Sequence, residues 1–467
     1  MKKYDAIIIG SGPNGLAAAI RLQQNGLKTV IYEAADKSGG ATRTENLTLP
    51  GFKHDVGSAI HPLAFDSPFF KTLPLDEFGL EWIHPEIPFA HPLAEGAIAA
   101  YKDVEQTAEQ LGIDQNAYLK LFNKLLLIWN NIQNDALGPL RIPSYPLDFA
   151  KFGLNALLPA STFVNRHFNL ETTKTFLYGA AAHSTVPLTN LASASFGLVL
   201  FILGHKVGWP FPKGGAINIS KALLGYYQSI GGELVLNHPV TDLAELPDTG
   251  YYFMNLTPAQ ILKIKGTQFS RIYRNRLSRF RYGAGIFKID WALEGPIPWL
   301  DNKCKKAGTV HLGYSSQEIE HSEKVVHEDH ISHRPYVLMA QHSLFDDTRA
   351  PKGKHTAWAY IHVPNGNEFD PTAYIENQIE KAAPGFGKLI LARSVKTSMQ
   401  MQAFDANLVG GDVNGGKPDI TQLFTRPVAR LNPYATSDRR IFICSSSTPP
   451  GGGVHGMCGY HAAASVF

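Results

Sequence analysis

A glycine-rich hexapeptide near the start of the chain has the residue types and spacing of a dinucleotide-binding turn. Gly10, Gly12 and Gly15 form a GxGxxG pattern, completed by Pro13 and Asn14, between an apolar run and a helical run. The first glycine permits a tight turn, the second lets the backbone approach a pyrophosphate, and the third lets the helix pack closely on the strand. The pattern therefore predicts a phosphate cradle at the N-terminus of the first helix.

An acidic residue stands where such a site needs one. Glu33 ends the second apolar run, 18 residues after Gly15. A carboxylate at the end of this strand accepts hydrogen bonds from ribose hydroxyls and disfavours a 2′-phosphate, and hence NADP. We therefore predict one βαβ unit from Tyr4 to Ala34 that binds a dinucleotide.

A second glycine pair, Gly39 and Gly40, lies six residues after Glu33 and is followed by Ala41 and Arg43. The pair allows another close approach of backbone to the ligand, and the guanidinium can reach the phosphates or the flavin side. This segment favours FAD over NAD.

The same segments carry a family resemblance. EAADKSGGATRT followed by HDVGS (54–58) resembles the N-terminus of FAD-dependent oxidoreductases of the glutathione-reductase, amine-oxidase and phytoene-desaturase group, and SSSTPPGGGVHGMCGYHAAA resembles their flavin-binding C-terminal end. Between them, GWPFPKGGAINISKAL and GIFKIDWALEGPIPW resemble the phytoene-dehydrogenase-like branch of this family, so the resemblance covers essentially the whole chain.

The resemblance implies an α/β fold with a glutathione-reductase-type, Rossmann-like FAD domain and a substrate domain that has a mixed sheet and a helical part. We expect the FAD domain to comprise residues 1–75, 206–265 and 405–467, and the substrate domain 76–205 and 266–404. Helical periodicity between about 105 and 205, and short alternating segments between 280 and 365, agree with this division. We also expect 211–243 and the strand RIFIC near the C-terminus to join the first sheet.

The FAD-binding residues that the resemblance implies come from six separate segments of the chain. They are Gly10, Gly12, Pro13, Asn14, Gly15, Glu33, Ala34, Gly39, Gly40, Ala41, Arg43, Gly57, Ser58, Ala59, Val240, Gly453, Val454, Gly456 and Met457. No metal spacing is found.

Four residues are candidates for catalysis. His455 lies within GGGVHGM, so we expect its side chain to project toward the flavin or the substrate, where an imidazole suits a general base. Tyr460 follows the same turn, and His61 follows the Asp55–Gly57 motif. His183, in the helical part, is a weaker candidate.

The predicted activity is hydride removal from a C–H bond of a lipophilic small molecule, with reoxidation by oxygen or a quinone. Two alternatives use the same fold. One is a flavin-dependent isomerase without net redox change, and the other is a non-catalytic protein that binds lipid or prenyl chains without flavin.

Composition limits the partners and the location. The chain has 467 residues, with 43 Lys and Arg against 40 Asp and Glu and no block of like charge, which argues against a nucleic-acid partner. Its 3 cysteines form no disulfide pattern, so we expect a cytoplasmic protein. The apolar segment Leu191 to Gly204 is too short to span a bilayer; it is either a buried helix or a patch that contacts a membrane peripherally.

Overall fold

The computed structural model describes residues 3–467; residues 1 and 2 of the predicted first domain lie outside this range. In chain order the strands are β1 Ala6–Ile9, β2 Thr29–Tyr32, β3 Thr44–Glu45, β4 His54–Asp55, β5 Trp82–Ile83, β6 Ile87–Pro92, β7 Ala97–Ala100, β8 Phe211–Pro212, β9 Glu233–Val235, β10 Tyr251–Met254, β11 Gly285–Leu293, β12 Ala307–Leu312, β13 Val337–Ala340, β14 His355–Val363, β15 Ile390–Lys396 and β16 Ile441–Ile443.

The α-helices connect and cover these strands. They are α1 Pro13–Gln24, α2 Pro62–Phe65, α3 Val104–Ala108, α4 Gln115–Ala136, α5 Pro146–Ala156, α6 Ala160–His167, α7 Glu171–Ala181, α8 Ser193–Val207, α9 Ile217–Ser229, α10 Pro258–Ile261, α11 Arg271–Leu277, α12 Asn302–Lys306, α13 Ser316–Val325, α14 Thr372–Ala382, α15 Ser398–Phe404, α16 Ile420–Leu423 and α17 Met457–Ala464.

The first sheet is parallel and has the strand order β16-β10-β1-β2-β9. Its strands are short apolar runs, such as AIII in β1, because structure covers both faces of the sheet. The segment 211–243 contributes β9 and the C-terminal RIFIC contributes β16, so both expectations about this sheet are confirmed.

Helices α1, α9 and α17 pack together over one face of this sheet. Helix α17 approaches α1 so closely that a Cβ on Gly459 would lie 1.8 Å from the carbonyl oxygen of Asn14. This contact brings the N-terminus of α17 beside the glycine-rich turn, although nearly the whole chain separates them in sequence.

The second sheet has the order β15-β11-β14-β13-β12-β6-β7 and is antiparallel except between β12 and β6. Side chains of β11 alternate: Phe287, Ile289 and Trp291 join a core with α14, and Ile286 and Lys288 lie on the other face. The hairpin β6–β7 was not predicted, because the prolines of IPFAHP argue against a strand in the interior of a sheet.

The helices between residues 104 and 207 form a bundle, as the periodicity predicts. Its core contains Phe122 and Trp129 of α4 and Leu198 and Phe201 of α8, all of them buried. Helix α8 includes most of the apolar segment 191–204, and its burial favours the buried-helix alternative for that segment. Within residues 3–467, no helix has both the length and the apolar character needed to cross a membrane.

Candidate functional site

One cleft of about 670 Å³ connects the carboxyl ends of β1 and β2 with the second sheet and the helical bundle. Ligands of open parallel sheets bind outside the carboxyl ends of the strands, which is the edge where β1, β2 and β10 all end. We call the part lined by Gly12, Glu33 and Arg43 the nucleotide end, and the part lined by His183 and Trp358 the substrate end.

The glycine-rich turn forms a cradle at the nucleotide end. Gly10 has φ +97°, which side chains rarely adopt, and Gly12 lies so close to Gly40 that a Cβ on Gly40 would be 3.2 Å from the Gly12 Cα. The cradle faces the N-terminus of α1, where backbone N–H groups and the helix dipole favour an anion. Asn14 Oδ1 is buried there without a hydrogen-bond partner among residues 3–467.

Glu33 is fixed at the mouth of this cradle. The backbone N–H and the hydroxyl of Ser11 donate to its Oε2 at 2.7 Å and 2.6 Å, and the N–H of Ala35 donates to Oε1 at 3.0 Å. The carboxylate therefore lies at the end of β2, as a ribose-binding acid must, and it also holds the phosphate turn in place.

Arg43 crosses the cleft wall to a distant part of the chain. Its Nη2 donates to the carbonyl of Phe404 at 2.9 Å, and its guanidinium lies 3.9 Å from the centre of the Phe404 ring. Its Nε donates to the carbonyl of Gly40 at 3.2 Å, and Nη1, which has no hydrogen-bond partner among residues 3–467, can bind phosphate. Asp405 also lines the cleft, and burial raises the pKa of its carboxyl.

The structure brings most of the predicted cofactor residues to this cleft. Those that line it are Gly10, Gly12, Pro13, Asn14, Glu33, Ala34, Gly40, Ala41, Arg43, Gly57, Ser58, Ala59, Val240, Gly453 and Val454. Val240 does so from a loop, since β9 ends at Val235. Those that lie behind its wall are Gly15, Gly39, Gly456 and Met457.

Of the predicted catalytic residues, His455 differs most from expectation, because its side chain does not line the cleft. The imidazole is 1% exposed and its Nδ1 accepts from the N–H of Met457 at 3.0 Å, so the ring caps the start of α17. Burial lowers the pKa of His455 to about 4. Tyr460 also lies outside the cleft and packs on Phe69, with 5.1 Å between the ring centres. A catalytic role for these two residues stays a prediction.

His61 does line the cleft, next to Ser58. Its Nε2 and the Ser58 Oγ form a hydrogen bond of 3.0 Å, while its buried Nδ1 has no partner among residues 3–467. Burial lowers the pKa of His61 to about 3, so the ring is neutral at physiological pH.

The substrate end is aromatic and apolar, with a few polar atoms. The residues that line it include Ile60, Leu63, His183, Leu200, Trp209, Ile286, Thr309, Leu338, Trp358 and Tyr360. None of these carries a formal charge at neutral pH, because burial also lowers the pKa of His183 to about 3. Thr309 Oγ1 and Trp358 Nε1 are buried without a partner among residues 3–467, and such atoms indicate a ligand that forms hydrogen bonds.

His183 is paired with a second histidine. Its Nε2 lies 3.1 Å from Nε2 of His311, which is fully buried on β12. One ring must donate and the other accept in this bond, and burial lowers the pKa of His311 well below its ordinary value. The pair is therefore a neutral imidazole dyad at the edge of the cavity.

Sequence reasoning missed several residues of the site. Asn255 and Asn407 line the nucleotide end, and Asn407 Oδ1 accepts from the N–H of Thr257 at 2.8 Å. Asn255 directly follows β10, so its place after a strand of the first sheet was a usable signal. No local signal marks Asn407, Asp405 or the dyad.

A buried ion pair supports the cleft from behind. Arg349 and Asp55 are each 1% exposed and paired, and Asp55 also accepts from the hydroxyl of Thr44 at 2.6 Å and the N–H of Ala216 at 2.8 Å. These donors, with the arginine first among them, hold the pKa of the Asp55 carboxyl below its usual range despite its burial. The pair ties the segment before Gly57 to α9 and to the loop after β13.

The residues present fit FAD. The cradle around Gly12 would be filled by a Cβ on either facing glycine, Asn14 Oδ1 lacks a partner, and Glu33 and Arg43 supply an acceptor and a cation at the nucleotide end. The cleft then continues far beyond the dinucleotide turn to the aromatic substrate end, which leaves room for a flavin and a substrate.

The chain is similar to several known proteins in sequence and in fold. Residues 8–73 match the model of the NAD(P)-binding Rossmann-like domain. The rat pyridine nucleotide-disulfide oxidoreductase domain-containing protein 2 is 24% identical, over 100% of this chain and 93% of that protein. The neurosporene-forming phytoene desaturase of Rhodobacter capsulatus is 24% identical, over 77% of this chain and 72% of the desaturase.

Among solved structures, the cyclohexylamine oxidase from Brevibacterium oxydans has a similar fold, with a TM-score of 0.61 at 14% identity, over 99% of this chain and 98% of the oxidase. The α/β fold class expected from the sequence is thereby confirmed. The sequence similarity to a phytoene desaturase and to an oxidoreductase domain-containing protein confirms the predicted resemblance and the prediction of an oxidoreductase.

Proposed function

We propose that the protein is an FAD-dependent oxidoreductase that removes hydride from a C–H bond of a neutral, lipophilic small molecule. The observation that carries this proposal is that the two ends of one cleft differ in chemistry. The nucleotide end has a phosphate cradle with Glu33 and Arg43, and the substrate end is aromatic and uncharged. FAD, when bound, supplies the two-electron acceptor.

The lining of the substrate end favours a neutral substrate. An amine substrate that is protonated in water would have to lose its hydration there, and no Asp or Glu among the residues lining the substrate end compensates it. A carboxylate substrate would likewise meet no Lys or Arg. Trp209, Trp358 and Leu200 instead favour a molecule with a large apolar surface.

Removal of a hydride to form a double bond also requires a proton to leave the neighbouring atom. His61 and His183 are the imidazoles that face the substrate end, and each is neutral, so an unprotonated ring nitrogen can accept a proton. Their lowered pKa values make them weak bases, so the proton they accept must be one that loss of hydride has made acidic. His183 is the better placed of the two, because the hydrogen bond to His311 orients its ring. We propose His183 as the proton acceptor, and oxygen or a quinone as the final electron acceptor.

The test is anaerobic reduction of the flavin by a panel of neutral polyenes, cyclic ketones, alcohols and primary amines. Bleaching of the flavin absorbance by one of the neutral compounds, and by none of the amines, is expected. Faster bleaching by amines would contradict the neutral-substrate proposal. Conversion of a compound to an isomer without bleaching would favour the isomerase alternative.

A matched pair of variants refines the test. Thr309→Val keeps the side-chain volume but removes the unpartnered hydroxyl, so KM should rise for substrates that bear oxygen and stay unchanged for hydrocarbons. Thr356→Val, on β14 outside the cleft lining, serves as the control and should leave KM unchanged for both kinds of substrate.

A further inference from the structure

The helical bundle carries an unusual concentration of exposed apolar side chains. Leu140, Ile142, Tyr145, Leu147, Leu154 and Leu157 are between 47% and 90% exposed, and we call this set the apolar patch. Leu140, Ile142 and Tyr145 lie on one loop, Leu147 and Leu154 on helix α5, which directly follows it, and Leu157 just after that helix. Large exposed apolar side chains concentrated in so short a stretch of chain indicate an interaction surface.

Helix α5 is apolar on two opposite faces. Phe152 and Ala156 face inward and join the bundle core. Leu147, Lys151 and Leu154 stand at positions i, i+4 and i+7, so they form one stripe on the outward face. A surface helix of a globular protein normally presents a polar outer face, and this helix does not.

The charges near the patch are arranged so that cations are outermost. Arg141 and Lys151 have side chains 44% and 47% exposed, whereas their partners Asp135 and Asp148 are 3% and 19% exposed. The carboxylates thus lie beneath the cations. Exposed leucines with a tyrosine and with lysine or arginine among them are the composition of helices that lie in the interface of an anionic membrane.

This composition does not suit a dimer interface, whose buried centre is depleted in charged residues, lysine among them.

The position of the patch also matters, because it adjoins helix α8. The N–H of Ala192, just before α8, donates to the carbonyl of Leu157 at 2.9 Å, and Leu200, farther along α8, lines the substrate end. Helix α8 thus connects the apolar patch with the cavity.

We propose that the apolar patch docks the protein on the surface of an anionic lipid membrane, with the outward face of α5 lying among the headgroups. Docking there places the substrate end near a source of lipophilic molecules. That second statement rests on the proposed function, whereas the docking itself does not.

Flotation of the FAD-loaded full-length protein with vesicles tests the docking. We expect the protein to float with vesicles of phosphatidylcholine mixed with phosphatidylserine, and to float less as salt is added, since salt screens the cations. Ile142→Gln, Leu147→Gln and Leu154→Gln combined should reduce the floated fraction at least tenfold. Leu300→Gln combined with Leu431→Gln removes equally exposed leucines outside the patch and should leave it unchanged.

Flotation of the triple variant and of the double control is compared with their melting temperatures and flavin contents, which these exposed substitutions should not alter. A second variant, Lys151→Glu, should weaken flotation with the anionic vesicles while keeping every leucine. Equal flotation of the triple variant and the wild type would overturn the proposal. So would absence of wild-type flotation, or light scattering that shows a wild-type dimer and a monomeric triple variant. If the protein floats but no lipophile reduces its flavin, the proposed function fails and the docking stands.

Discussion

Replacement of Gly12 by Ala separates the two tasks that glycines perform in the phosphate turn. Gly12 has φ −65°, which alanine adopts without strain. Its Cβ would lie 3.1 Å from Asn255 Nδ2 and 4.0 Å from the Gly40 Cα, so the added methyl group fills the cradle without displacing backbone. Gly15 is different, because a Cβ there would lie 2.0 Å from the carbonyl oxygen of Gly10.

The expected magnitudes follow from these distances. A methyl group added to a close-packed site costs about 1–3 kcal/mol. For Gly12→Ala this cost falls on the ligand, so we expect FAD to bind about 5- to 150-fold more weakly while the apoprotein stays as stable as the wild type. For Gly15→Ala the cost falls on folding, because the strand and the helix must separate, so the apoprotein itself should melt at a lower temperature.

The assay is titration of the apoprotein with FAD, followed by quenching of flavin fluorescence, together with thermal unfolding of each apoprotein. Gly295→Ala is the control, since nothing lies within 4 Å of its added Cβ, and it should change neither quantity. Wild-type affinity in Gly12→Ala would refute the assignment of the cradle. Equal destabilisation by Gly12→Ala and Gly15→Ala would refute the distinction between the two glycines.

Three more predictions concern charge and protons. Glu33→Gln removes charge-assisted hydrogen bonds of about 1.5–3 kcal/mol each and should weaken FAD binding about tenfold or more in the same titration; an unchanged Kd would exclude the ribose role. His183→Gln should slow anaerobic flavin reduction about a hundredfold. Because the pKa of His183 is lowered to about 3, the ring stays unprotonated down to low pH, and the wild-type rate should not fall between pH 8 and pH 5. A fall in rate centred near the ordinary imidazole pKa of about 6.5 would show that another group accepts the proton. Asp55→Asn leaves Arg349 buried without its partner and should cost about 3–5 kcal/mol in urea unfolding at neutral pH. The depressed pKa of Asp55 means that its stabilisation is complete above the unfolded value of about 3.9 and is lost below it, so the difference between variant and wild type should shrink in strong acid; a constant difference would contradict the pairing.

The nucleotide end was largely predictable because its information is local. Gly10, Gly12 and Glu33 lie within one βαβ unit, where spacing along the chain determines which residues meet at the ends of adjacent strands. The motif around Arg43 could also be recognised from the sequence. The contact between Arg43 and Phe404 could not be predicted, since the two residues are 361 positions apart.

The substrate end was mostly not predictable. His183 and His311 meet across 128 residues, on a helical turn and on a strand whose register depends on the entire second sheet. The sequence predicts that the His455 side chain projects toward the flavin or the substrate; in the structure its Nδ1 accepts from the N–H of Met457, and the side chain does not line the cleft. Flanking glycines permit several directions for the side chain. The N–H groups at the start of α17 lack partners within the helix, and the His455 ring accepts a hydrogen bond from one of them.

Whether this cleft holds FAD is decided by the flavin content of the purified protein. The nucleotide should be released by denaturation, identified by mass spectrometry and quantified against protein concentration, with reconstitution first if the protein is colourless. We expect FAD in equal amount to the chain, and a lower FAD content in Gly12→Ala. Release of NAD, of FMN or of no nucleotide after reconstitution would contradict this expectation.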